Sequence, residues 1–170
     1  MVDINQNILS KIDLYYGDIS MPKGFEIDKD QLQKDTLEHI LKDCPFPFSR
    51  EWDKLNTYLR EHINLEYDFS LINKLTNGFM FKQNESNLPE CENNKVDLRN
   101  SPDYVMLYGV DLQNCNVRIY YDDNRRAGKS WDIKLENNKF IMFPSTLIYH
   151  ITNNQKNKLN FILKTTYEYI

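Results

Sequence analysis

The feature that most constrains this chain is a change of hydrophobic period near Asn77. Before it, Leu32, Leu37, Ile40 and Leu41 recur at helical spacing, and Trp52, Leu55, Leu59 and Ile63 do so again. After it, short aromatic and β-branched runs alternate with clusters of Asn, Asp, Gly and Pro, which is the pattern of strands and turns. Two amphipathic helices are therefore expected, the second N-capped by Ser49, with Cys44 to Phe48 joining them because each proline disfavours helix in the residue before it. Strands are expected at Phe79–Lys82, Tyr104–Val110, Val117–Tyr121, Trp131–Leu135, Lys139–Phe143, Leu147–Ile151 and Leu159–Tyr169. Helices followed by seven such strands predict an α+β fold, a double-stranded β-helix or jelly roll with two N-terminal helices packed on one sheet. The 170 residues bound this to a single domain, residues 1–76 forming its helical part and residues 77–170 its jelly-roll part.

Charge and cysteine usage narrow the classes of function. A net charge of -4 disfavours general nucleic-acid binding, which draws on clustered Lys and Arg. The first residues lack the order of a secretory signal, and no apolar run approaches a membrane span, so a location inside a cell or in a virion is expected, without secretion or membrane anchoring. Cys44, Cys91 and Cys115 are widely spaced and suggest neither a disulfide framework nor a zinc knuckle. Gln83 to Asn94 holds few apolar residues and reads as a long exposed loop. Tyr15 and Tyr16 read as part of an extended segment lying over the domain or onto a neighbour.

Two constellations could carry chemistry. Arg125, Arg126 and Lys129 crowd into one turn and could hold an acidic partner surface, although Asp122 and Asp123 beside them can neutralise it internally. Gly128-Lys129-Ser130 resembles the end of a phosphate loop only superficially, since Asp123 stands in the glycine slot and a strand follows. His150 is the one histidine on an expected strand, just after the Phe143-Pro144-Ser145 bend, whereas His39 and His62 fall on the expected helices.

The Asn138 to Thr152 stretch around Phe143-Pro144-Ser145 resembles the closing segment of the Fe(II)/2-oxoglutarate oxygenase (prolyl-hydroxylase-like) superfamily. Val96-Asp97-Leu98-Arg99-Asn100-Ser101-Pro102-Asp103-Tyr104 and the Asp-Asp-Asn-Arg-Arg turn resemble a small protein of marine tailed phages, cyanophage-like, itself similar to that barrel. The resemblance implies that His150 corresponds to the second metal-binding histidine and Lys158 to the basic residue that grips the distal carboxylate of 2-oxoglutarate. It further implies that Asp97 corresponds to the carboxylate of the family's His-x-Asp, with Lys95 where the histidine would stand. A protonated lysine offers iron no lone pair, so the implied triad is incomplete. The resulting expectation is a non-catalytic or vestigial oxygenase-like jelly roll acting through a protein partner, as a homo-oligomer, a virion component or a host-interaction protein. The opposing expectation is an active Fe(II)/2-oxoglutarate-dependent hydroxylase with an unusual metal site, in which His150 and Asp97 bind iron with water or Cys91 in third place.

Overall fold

The computed structural model describes residues 11–19, 22–42, 49–82, 84–122, 128–153 and 159–170. The elements run β1 (Tyr15–Asp18), α1 (Lys29–Lys42), α2 (Arg50–Tyr67), β2 (Leu71–Phe81), a single 3-10 turn at Leu98–Asn100, β3 (Tyr104–Asp111), β4 (Cys115–Asp122), β5 (Lys129–Leu135), β6 (Lys139–Pro144), β7 (Ile148–Asn153) and β8 (Asn160–Tyr169). Over the described residues the class is α+β, with two helices and two antiparallel sheets.

Both helices begin where short polar side chains can satisfy free backbone donors. Asp28 accepts from the Gln31 amide at 3.0 Å, and Ser49 accepts from the Trp52 amide at 3.2 Å. At its other end α2 stops at Asp68, which takes a left-handed conformation and donates its amide to the Asn64 carbonyl. The expected stripe on α2 is buried as read: Trp52, Leu55, Leu59 and Ile63 all face the core. On α1 the stripe is displaced. Leu32 and Thr36 are buried while Leu41 is exposed, because the helix lies against β2 at Gly78. A Cβ there would come within 3.0 Å of Thr36 and 3.3 Å of the His39 ring, so the absent side chain sets how closely helix and sheet approach. The linker between the helices, Cys44 to Phe48, lies outside the described residues.

The larger sheet has the order β1-β6-β3-β8-β2 and the smaller β5-β4-β7. Alternation along β3 sends Met106, Tyr108 and Val110 toward the helices and Val105 and Leu107 toward the smaller sheet. Two cores result, one between helices and sheet and one between the sheets. Strands that are buried on both faces lose the apolar-polar alternation of a half-exposed strand, which is why β8 is buried from Asn160 to Tyr167.

The structure extends the sequence expectation at two places. β2 starts at Leu71, well before the expected Phe79, and its first half is mostly exposed because it is an edge strand. The segment around Tyr15 and Tyr16 is a true strand, pairing with β6 from Tyr15–Met142 to Asp18–Lys139. Its end is fixed by Asn138, left-handed at φ 65°, whose side chain accepts from the Tyr108 hydroxyl at 3.0 Å and donates to the Ile19 carbonyl at 2.9 Å.

Candidate functional site

The segment expected to form a long exposed loop does so over its described residues, 84–94, most of which are exposed, and two of its partly buried acids, Glu90 and Glu92, enter a charged cluster. Ser86 and Glu90 form isolated bridges with Thr152 and Tyr149, so this segment closes the free edge of β7. Glu90 and Tyr149 exchange backbone hydrogen bonds at 2.9 Å in both directions, and Asn93 donates to the Ser145 carbonyl at 3.1 Å. The backbone pairing turns Glu90 and Glu92 toward the space between the sheets.

Lys164 reaches them from the opposite wall. On β8, Ile162 belongs to the inter-sheet core, and Lys164, two residues on, shares its face. Its ammonium pairs with the Glu92 carboxylate, lies 3.7 Å from Glu90, and sits 4.9 Å from the centroid of the Phe79 ring. Lys164 is only 7% exposed, and a lysine so enclosed requires a partner. The Tyr149 hydroxyl completes the group, within 2.8 Å of Glu92 and 3.0 Å of Glu90. Burial, and then the negative charges of Glu92 and Glu90, raise the Tyr149 pKa well above the ordinary phenol value, so Tyr149 is a proton donor here.

The residues expected from sequence stand elsewhere. On β7, Tyr149 and Ile151 face the inter-sheet core, so His150 faces the other way, opposite Arg118 on β4. Arg118 makes a two-pronged pair with Asp132 at 2.7 and 2.8 Å, which places Asp132, Arg118 and His150 in a row on the outer face of the small sheet. Asp97 caps the 3-10 turn, accepting from the Asn100 amide at 3.3 Å and its side-chain amide at 2.7 Å. Lys95 lies exposed in the preceding turn, and Cys91 is exposed, with its thiol 3.4 Å from the Ser145 carbonyl. His62 pairs with Glu66 at 3.2 Å on α2. Lys129 is exposed at the start of β5, whereas Arg125, Arg126 and Lys158 lie outside the described residues. The structure thus brings together Glu90, Glu92, Tyr149 and Lys164, none of which the site expectation contained. The available signal was Lys164 itself, a lone charge inside the run Phe161-Ile162-Leu163-Lys164.

This arrangement of two antiparallel sheets, with helices covering the outer face of the larger one, is shared with solved structures that include prolyl hydroxylases and an oxidoreductase of the 2OG-Fe(II) oxygenase family from Burkholderia pseudomallei. The prolyl-4-hydroxylase of Pseudomonas putida superposes with a TM-score of 0.60 at 12% identity, over 83% of each chain. AviO1 from Streptomyces viridochromogenes gives 0.63 at 10% identity, over 91% of this chain and 89% of that one. The viral collagen prolyl hydroxylase of Paramecium bursaria Chlorella virus-1, solved with 2-oxoglutarate, gives 0.58 at 14% identity, over 90% and 95%. No family model and no curated protein matches the sequence.

One structure with this fold, HygX from Streptomyces hygroscopicus, was solved with nickel and 2-oxoglutarate bound, and the donor set of this chain can be tested against a metal. No three His, Cys, Asp or Glu side chains gather among the described residues. The two inward carboxylates are engaged by an ammonium and a phenol, and His150 faces outward. These residues do not fit the two-histidine, one-carboxylate set of a non-haem iron centre.

Proposed function

We propose that this chain is an oxygenase-like double-stranded β-helix that has exchanged metal chemistry for binding, acting on a protein partner through its surface, as a homo-oligomer or within a phage virion or host contact. The observation that carries this reading is the Glu92–Lys164 pair. A fixed internal cation neutralises the acidic cluster between the sheets, leaving it little attraction for an external one. The neighbours' fold supports the barrel part of the reading and does not distinguish a catalyst from a binding module, since one fold hosts both.

The test is an anaerobic optical titration with Fe(II) and 2-oxoglutarate. The expected result is no visible charge-transfer band in the wild-type protein, with circular dichroism showing an intact fold. A band that disappears in His150→Ala or Asp97→Ala would overturn the proposal and establish the hydroxylase reading.

A further inference from the structure

The inter-sheet core is open at one flank. β1 and β5 are edge strands of their respective sheets, and a T-shaped contact between Tyr16 and Trp131, centroids 5.6 Å apart, links them. Register shows that these rings belong to the inward face. Tyr16 lies opposite Ile141 and Trp131 opposite Ile119, and both isoleucines are buried between the sheets. Yet Tyr16 is 57% exposed, and Trp131 and Tyr121 are each 46% exposed. They border a cavity of about 340 Å³ with an apolar floor of Leu14, Ile119 and Leu147.

The cavity's charge is as informative as its rings. Among the described residues lining it, the one Asp, Glu, Lys, Arg or His side chain is that of Asp13, a carboxylate. Among the described residues it pairs with Lys11 at 3.1 Å, an exposed and therefore weak contact. Three aromatic rings border a half-open cavity, where an electron-rich ring face attracts a cation, and the carboxylate of Asp13 beside them favours a positive guest. An apolar ligand would need the rings but not Asp13, whereas a hydrated metal ion would need more oxygen donors than the cavity offers.

We infer that the cavity bordered by Tyr16, Tyr121, Trp131 and Asp13 is an aromatic cage that binds a small molecule through an alkylated ammonium group. The guest's methyl groups lie against the rings and the Leu147 floor, and its charge is balanced by Asp13. This inference is independent of what fills the space around Lys164, so the two can fail separately.

The test compares choline with its neutral isostere, 3,3-dimethylbutan-1-ol, on the full chain by ligand-observed NMR. The expected result is a saturable upfield shift of the choline methyl protons, with binding about tenfold tighter than that of the isostere. Trp131→Ala weakens choline binding by at least about fivefold, Trp131→Phe restores part of it, and Asp13→Asn lowers choline affinity while leaving the isostere unchanged. Should Trp131→Ala lose its circular dichroism signal, Tyr121→Ala is measured in its place with the same expectation. Equal binding of the two probes would overturn the inference in favour of an indifferent apolar cavity, and so would the absence of saturation by about 50 mM choline.

Discussion

The two faces of the five-stranded sheet are built by different rules. Toward the helices the polar side chains are neutral and locally satisfied. Trp52 donates from its ring nitrogen to Thr76 at 3.3 Å, Thr76 meets Thr165 at 3.1 Å, and the Tyr167 hydroxyl donates to Asn56. Toward the smaller sheet the same strand β8 presents Lys164, and full charges converge. A neutral pair costs little to bury when its hydrogen bonds are made, but a charge requires its specific counter-charge. The helix face therefore reads as scaffold, and the inter-sheet face as the place where identity of residues, beyond size and hydropathy, matters.

That contrast sets the order of expected effects. On the helix face, Trp52→Ala removes the largest fully buried side chain and should cost about 4 kcal/mol, whereas Trp52→Phe, which keeps most of the volume, should cost much less. Urea unfolding of both variants measures the difference. Between the sheets the pair should be asymmetric. Glu92→Ala leaves the Lys164 ammonium without its nearest partner and should cost about 3 kcal/mol, while Lys164→Met should stay within about 1 kcal/mol of wild type, because the carboxylates it leaves are nearer to solvent. Equal losses for these two variants would remove the distinction between the faces.

Gly109→Ala separates backbone packing from either face. A Cβ would fall 2.2 Å from the Glu136 carbonyl oxygen, so backbone must move, and a loss of about 3 kcal/mol in the same unfolding assay is expected. The last effect appears only at alkaline pH. Burial pushes the Cys115 thiol from its ordinary 9.0 up to about 12 and also raises the buried phenols of Tyr108, Tyr149 and Tyr167. A pKa raised by folding gives stability that is complete below the unfolded value and is lost as pH climbs toward the folded one. Thermal midpoints should therefore be insensitive to these groups below pH 9 and fall between pH 9 and 12, with Cys115→Ala falling less steeply over the first part of that interval.

Much of the scaffold was legible because its signals are local. The Ser49 cap and the α2 stripe each depend on residues a few positions apart, and each appears where it was expected. β1 was harder. Four residues with a central glycine carry no clear period, and only pairing with β6, more than a hundred residues away, makes them a strand. The same is true of the charged cluster. Glu90 and Glu92 sit in a polar run that looks like solvent-exposed loop, and their inward orientation follows from bridges to β7 that no local pattern records. His150 shows the cost of relying on residue type alone. A strand's two faces alternate, and a shift of one position puts Tyr149 inside and His150 outside. Arg125 and Arg126 lie outside the described residues, so their expected role stays with the proposal of a bound partner, and Lys158, also outside them, stays with the alternative reading of a 2-oxoglutarate site.

The central claim is that Lys164 satisfies the acidic cluster from within. A double-mutant cycle of Glu92→Gln and Lys164→Met, read by urea unfolding at neutral pH, measures their coupling directly. The account predicts a coupling of about 2 kcal/mol, retained in high salt because the pair is shielded from solvent. A coupling below about 0.5 kcal/mol would show that the two side chains act independently, and would contradict the claim.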